Sequence, residues 1–270
     1  SADSAAELYE RALELEPSNK TALGELESYY RDGEQFEKLS AILENQIGIE
    51  EDPEVRLDKT VALAELCGEQ LNDPDGARQW WEELQHEPRA RGKACAHLEE
   101  IYAEQQEWDL LSDLLLQQRE EAESEADQKL VMVKLAGLYE QRLDNLEEAF
   151  HWYGELLQLE PDSGAALQGA KRCATQLEDW ETVARVDTTL LETAEGEDAA
   201  VLQKELASIL FERLGEKEQG LQHLQSLLQA DTIDPEVKEL AMSQISDPDV
   251  GFQVSLTLEP VLEQDAEWDK

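Results

Sequence analysis

The stretch LAGLYEQRLDNLEEAFHWYGEL, residues 135–156, has a related stretch 72 residues earlier in the chain. Residues 63–84, LAELCGEQLNDPDGARQWWEEL, align with it without a gap, and 8 of the 22 positions are identical. Another related stretch, residues 206–227, follows one residue short of the same interval. Self-similarity at a fixed period is typical of repeat architectures, in which one supersecondary unit stacks on the next.

A second set of positions has the same period. Phe36, Trp108, Trp180 and Phe252 each open a similar stretch, and successive members of this set are 72 residues apart. We therefore predict a single repeat domain over residues 1–270, with superrepeats at about 1–52, 53–124, 125–196 and 197–270. Because the register opens on the second helix of a pair, we expect the chain to be a segment of a longer array.

Each superrepeat is predicted to contain four helices. Asp-Pro pairs at 52–53, 73–74, 234–235 and 247–248 are typical of helix starts, with the aspartate as the cap and proline at the first helical position. Pro17 and Pro161 each indicate the end of one helix just before a capping residue, Ser18 or Asp162. Apolar residues at helical spacing give about 15 helices, at 3–16, 18–31, 34–49, 53–71, 74–86, 90–105, 107–122, 125–142, 145–159, 163–176, 178–194, 197–214, 216–229, 235–245 and 248–263.

Alanine, leucine, glutamate and glutamine dominate the composition, which favours an all-α protein. The connections between predicted helices are short, so neighbouring helices must pack antiparallel. The sequence therefore predicts a stack of about seven helical hairpins.

The hairpins resemble the tetratricopeptide repeat, in the form of a long array of bacterial type. The second-helix pattern of that family is matched by Ala5, Tyr9, Ala12 and Pro17, by Ala149, Tyr153, Leu156 and Pro161, and by Ala77, Trp81, Leu84 and Pro88 with the proline one residue early. The first-helix pattern is matched by Leu135, Ala136 and Tyr139, while alternate hairpins are degenerate, with Leu39 or Leu111 in the small second-helix slot. The resemblance covers essentially the whole chain, and it implies a right-handed α-solenoid whose concave groove is lined by the first helix of each hairpin.

The formal net charge of −42 argues against some classes of partner. Binding to nucleic acid or to an anionic membrane normally depends on lysines and arginines that neutralise phosphate, so neither is expected here. A cationic partner, a high-salt habitat and simple solvation each remain compatible with this charge.

Other segments and motifs are informative by their absence from the sequence. No apolar run approaches the roughly 18 residues that span a bilayer, so direct membrane insertion is not expected. Cys67, Cys95 and Cys173 are far apart and lie within helical patterns, so we expect reduced thiols in a cytoplasmic protein. We find no Gly-rich phosphate-binding loop, no two-histidine zinc motif and no paired-cysteine spacing, and we predict no enzymatic activity, cofactor or metal.

The tetratricopeptide resemblance assigns the candidate partner-binding residues. The groove-facing positions of the first helices include a run of four carboxylates that would form an acidic stretch. A basic or amphipathic peptide could dock there, or the carboxylates could simply be solvated, and the sequence leaves both open. The candidate residues are Arg31, Glu65, Glu69, Lys93, Glu100, Glu104, Gln141, Arg172 and Gln176.

The resemblance favours a non-catalytic scaffold that binds a protein or peptide in its groove. The alternatives are a structural spacer, a self-association module, or a regulatory or sensor region of a larger protein.

The adjacent Trp80 and Trp81 are predicted to have different roles. The register assigns Trp81 to a core position shared with Tyr9, Tyr153 and Leu224, whereas Trp80 could pack on the adjacent hairpin or line a ligand cage.

Overall fold

A computed structural model describes residues 2–229 and 233–268 of the chain. In these residues the elements are fifteen α-helices, one π-helical segment and no β-strand, which confirms the predicted all-α class. The helices are α1 (Ala2–Leu15), α2 (Lys20–Asp32), α3 (Phe36–Ile49), α4 (Pro53–Glu69), α5 (Pro74–Leu84), α6 (Arg91–Gln105), α7 (Trp108–Glu121), α8 (Glu125–Gln141), α9 (Leu146–Leu159), α10 (Gly164–Gln176), α11 (Trp180–Leu191), α12 (Gly196–Ile209), α13 (Lys217–Leu228), α14 (Pro235–Gln244) and α15 (Gly251–Trp268), and the π-helical segment Leu210–Leu214 continues α12.

Three of the four Asp-Pro pairs start helices as predicted. Asp52, Asp73 and Asp234 cap α4, α5 and α14, and each carboxylate accepts a hydrogen bond from a backbone N–H of the first turn. The proline that follows each aspartate lies at the start of the helix, where its missing N–H costs nothing.

Three predicted helix starts are wrong by a few residues. Asp247 caps a turn over residues 248–250, accepting from the N–H groups of Asp249 and Val250, and α15 begins only at Gly251. The N-cap positions of α2 and α10 are Asn19 and Ser163, one position after the predicted Ser18 and Asp162, and of the two only the Asn19 side chain accepts a capping hydrogen bond. In both cases the proline ends the preceding helix as predicted, and one more residue is needed to complete the turn.

Helix ends repeat with the sequence period. Glu34, Gln106 and Glu178 have left-handed backbone conformations, with φ of 53°, 60° and 57°, and they are 72 residues apart. In each case the N–H of the next residue bonds to the carbonyl oxygen five positions earlier, at N···O distances of 2.9, 2.8 and 2.9 Å. This arrangement satisfies the last carbonyls of a helix and turns the chain sharply into the next one.

The contacts within the chain divide it into two compact units, one up to Leu114 and one from Leu115. Inside the first unit, α1 to α6 pack each against the next, and inside the second the same holds from α8 to α13. Short connections make successive helices antiparallel, so each unit is a stack of helical hairpins. One repeat domain over residues 1–270 stays a prediction.

The core positions follow the predicted register. Trp81, Tyr153 and Leu224 are buried, and Tyr9 at the same position of α1 is half-buried. The ring of Trp81 stacks on His97 of α6 with ring centroids 4.5 Å apart. Trp80 is half-buried and packs on the core of the first unit, and Trp152, its counterpart in α9, is 7% exposed. Both tryptophans therefore belong to the packing between helices.

Candidate partner-binding surface

The nine candidate residues lie on the first helices of five hairpins. Eight of them are exposed, and Glu65 is half-buried. Six belong to the first unit and three, Gln141, Arg172 and Gln176, to the second. The first unit therefore contains the whole predicted acidic stretch, Glu65, Glu69, Glu100 and Glu104, on the two first helices α4 and α6.

Cations on the first helices are engaged in ion pairs with neighbouring first helices. Lys93 of α6 pairs with Glu65 of α4, and Lys59 of α4 lies 3.1 Å from a carboxylate oxygen of Glu27 in α2. Arg31 also contacts Glu27, at 2.8 Å. Lys59 and Lys93 therefore link neighbouring hairpins, whereas Arg31 is paired within its own helix α2. All three cations are engaged by glutamates of the first unit.

The second unit shows the same use of cations. The guanidinium of Arg172 in α10 donates to both carboxylate oxygens of Glu140 in α8, at 2.7 and 2.9 Å. The hydroxyl of Tyr153 donates to the same carboxylate at 2.6 Å. The hydrogen bond from Arg172 holds the pKa of Glu140 below its usual range, with a smaller contribution from Tyr153 and against the effect of burial. Arg172 is thus a neutralised group that links two hairpins.

The acidic stretch keeps three carboxylates that no lysine or arginine neutralises in the part of the chain that the structure describes: Glu69, Glu100 and Glu104. All three are exposed, and Nδ1 of His97 lies 3.9 Å from Glu100. Glu100 and Glu104 are four residues apart on α6, a spacing that puts both side chains on one face of the helix. We call these three carboxylates the acidic face.

The second unit contains a cavity along the first helices α10, α12 and α14, where the tetratricopeptide resemblance implies a groove. Its volume is about 710 Å³, and it lies among α10, the first turn of α11, α12 with its π-helical segment, and α14. Its apolar lining comes from Trp180, Val183, Ile209 and Leu240. The 72-residue register already marked Trp180 as a repeated aromatic position, but the lining comes from four elements whose approach no sequence pattern shows.

Structural features that would suggest chemistry are few among the described residues. No group of three histidine, cysteine, aspartate or glutamate side chains comes together there as a metal site would need. Across the same residues no helix has both the length and the apolar content to cross a membrane. Cys67 and Cys173 are buried, Cys95 is half-buried, and none of the three is in a disulfide.

Comparisons with known proteins place the chain beside other helical repeat proteins. No protein-family model and no curated protein matches it. A tetratricopeptide repeat protein from Parabacteroides merdae is 17% identical over 88% of this chain and 90% of its own, with a TM-score of 0.35. The C-terminal part of a repeat-containing protein from Cytophaga hutchinsonii is 11% identical over 88% and 94%, with a TM-score of 0.41. PilF from Pseudomonas aeruginosa is 13% identical over 90% and 99%, with a TM-score of 0.36.

Buried small and large residues recur where the two helices of a hairpin pack together. The first-helix positions Leu63, Ala64, Leu135 and Ala136 are all 0% exposed, and the second-helix positions Ala77 and Ala149 are at most 1% exposed. Small and large residues thus interlock where the two helices of a hairpin meet. The stacked hairpins, the recurring helix ends and these interlocking positions make this a tetratricopeptide-type helical repeat fold.

Proposed function

We propose that the chain is a non-catalytic scaffold that binds a basic segment of a partner protein on the acidic face of its first unit. The observation that supports this is that Glu69, Glu100 and Glu104 are exposed without a lysine or arginine partner among the described residues, while Arg31 and Lys93 nearby are ion-paired. A surface with unneutralised charge of one sign attracts the opposite charge and speeds its association.

The ion-paired cations make an acidic peptide an unsuitable partner. A surface that grips carboxylates needs free lysines or arginines, and Arg31, Lys93 and Arg172 each already contact a glutamate of this chain. An acidic ligand would have to compete with those glutamates while approaching a chain of net charge −42. A basic ligand meets neither obstacle.

The proposal is tested by charge reversal with a matched control. The test variant carries Glu69→Lys, Glu100→Lys and Glu104→Lys, and the control carries Glu37→Lys, Glu44→Lys and Glu83→Lys. The control residues are exposed, belong to the same unit and lie on the second helices α3 and α5. Both variants change the net charge equally, so they differ only in the face that is altered.

Each protein is immobilised and exposed to a cell lysate in low salt, and the captured proteins are identified by mass spectrometry. We expect a set of proteins that is retained by the control, lost from the test variant and released as salt screens the contact. Equal loss from both variants would show that only total charge matters. Full capture by the test variant would place partner binding on another surface.

A further inference from the structure

The cavity of the second unit combines an apolar floor with a charged rim. Val183 is 2% exposed, and Trp180, Ile209 and Leu240 are half-buried around it. A volume of about 710 Å³ is within the range of small-ligand sites, which run from roughly 300 to 1,000 Å³. The floor is suited to a large apolar side chain.

Two lysines on the rim are neutralised by the chain itself. Lys204 lies 2.8 Å from Asp234 and 2.7 Å from Glu236, which belong to the start of α14. Lys171 lies 2.7 Å from the buried carboxylate of Asp187 and also pairs with Glu205. Each lysine thus has two carboxylate partners, so neither offers a positive charge to a ligand.

The remaining charge on the rim is negative. Glu212 of the π-helical segment and Glu239 of α14 line the cavity, are exposed and have no ion-pair partner in residues 2–229 and 233–268. They come from two different elements and border the same space. A cation in the cavity could therefore contact carboxylates that no residue of the described chain neutralises.

The aromatic ring at the cavity already binds a cation from the chain. The guanidinium carbon of Arg213 lies 4.8 Å from the centroid of the Trp180 ring. Guanidinium groups are attracted to indole faces by the ring quadrupole, and their flat shape also stacks on the ring. Arg213 therefore already takes the cation-binding contact of this ring, so a basic side chain of a ligand has to bind at the carboxylates of the rim.

We propose that this cavity binds a short segment of a partner protein in which arginine or lysine adjoins a large apolar residue. The apolar residue lies against Trp180 and Leu240, and the cation lies between Glu212 and Glu239. This site is in the second unit and is separate from the acidic face, so it does not depend on the function proposed above.

The probe is the synthetic peptide acetyl-Gly-Leu-Arg-Leu-Arg-Gly-amide, titrated into the full chain by isothermal calorimetry in low salt. Two control peptides replace both arginines with glutamate or both leucines with serine. We expect saturable binding of one probe peptide per chain and at least tenfold weaker binding of each control peptide. Equal affinity for the probe and the serine peptide would show that the apolar floor takes no part, and absence of binding by the probe would overturn the proposal.

Variants then locate the peptide. The double variant Glu212→Gln/Glu239→Gln should weaken binding at least tenfold, while the control Glu147→Gln/Glu218→Gln, which removes the same charge from exposed positions of α9 and α13, should not. All four positions are exposed, so circular dichroism should show folding unchanged. Equal weakening by both pairs would overturn the site, since charge alone would then explain binding.

The acidic-face variant separates the two proposals. Glu69→Lys, Glu100→Lys and Glu104→Lys together should leave probe binding unchanged if the peptide occupies the cavity. Loss of binding in that variant, with retention in Glu212→Gln/Glu239→Gln, would overturn the cavity proposal and assign the peptide to the acidic face.

Discussion

Helix α3 of the first unit and helix α11 of the second fill the same repeat position with opposite chemistry. Leu43 and Asp187 are 144 residues apart, twice the repeat period, and both are buried, at 1% and 0% exposure. Leu43 belongs to the apolar core of the first unit. Asp187 lies 2.7 Å from Nζ of Lys171, and neither of its oxygens has a further hydrogen-bond partner in the described chain.

The repeat thus determines which positions are buried but not which residues fill them. An unpaired buried charge would cost several kcal/mol, so the aspartate depends on a lysine from the preceding helix. Even with that lysine, burial raises the pKa of Asp187 above its usual range. The second unit therefore has a local polar contact where the first unit has only hydrophobic packing.

The largest expected effect is loss of the lysine. Lys171→Met leaves Asp187 buried without a cation, and we expect the free energy of unfolding at neutral pH to fall by about 4 kcal/mol. This fall in free energy is measured by urea unfolding, monitored by circular dichroism. The double variant Lys171→Met/Asp187→Leu restores the apolar chemistry of the first unit and should recover most of the loss. A double variant as unstable as the single one would show that the lysine acts through Glu205 instead.

The loss of unfolding free energy caused by Lys171→Met should depend on pH. A carboxyl whose folded pKa is raised binds its proton more tightly in the folded state, so its stabilising contribution is present below the unfolded pKa and is lost as pH rises through the folded pKa. Without Lys171 this pKa rises further. The deficit of Lys171→Met relative to the unmodified protein should therefore shrink towards about pH 4, where the folded state holds Asp187 protonated.

Truncation of Leu43, the apolar counterpart of Asp187, should lower the free energy of unfolding by an amount that does not depend on pH. Leu43→Ala removes buried methyl groups and leaves a cavity, and we expect a loss of about 3 kcal/mol. Urea unfolding at pH 7 and at pH 4 should give the same deficit, since no titrating group is changed. If the loss of unfolding free energy depended strongly on pH, the position of Leu43 in α3 would also interact with an ionised group.

A smaller effect is expected at a half-buried ion pair of the second unit. The pKa of Glu140 is lowered by its hydrogen bonds from Arg172 and Tyr153, so its contribution is present above the unfolded pKa and is lost as pH falls through the folded pKa. Glu140→Gln should cost about 1 kcal/mol at pH 7, because Arg172 is largely solvated, and close to nothing near about pH 3. Urea titrations at both values test this opposite pH trend.

The smallest effect is expected at an exposed pair. Lys38 of α3 and Glu10 of α1 lie 3.1 Å apart with side chains 57% and 43% exposed. Lys38→Ala should lower the free energy of unfolding by less than about 1 kcal/mol, and 1 M NaCl should abolish the difference. The Lys171→Met deficit should persist in the same salt because Asp187 is shielded from solvent. If both deficits vanish, burial does not distinguish the two pairs.

The sequence was sufficient to place the helices because two independent signals coincide. The 72-residue period and the Asp-Pro caps at Asp52, Asp73 and Asp234 agree with helical spacing, and the structure confirms them within a few residues. The helix start predicted at Asp247 was wrong because an aspartate before proline caps a turn as readily as a helix. Short-range chemistry alone does not separate those two outcomes.

The candidate surface was less predictable because it depends on partners about 30 residues away. Lys93 and Arg172 were assigned to the groove by register, and whether they are free depends on carboxylates of nearby helices. Only Arg31 has a local partner, Glu27 of the same helix. For Asp187, the sequence does contain a signal that the residue is buried. Its alignment with Leu43 and Leu115 marks a core position, although an aspartate by itself indicates solvent.

The ion pairs between neighbouring hairpins have a kinetic consequence. Lys38 pairs with a residue 28 positions away, and Arg119 with one 36 positions away, so even these side-chain contacts span about one hairpin. Proteins whose contacts are close in sequence close only short loops while folding, and they fold fast. The first unit can therefore begin to fold as soon as two neighbouring hairpins have left the ribosome, before the second unit has been synthesised.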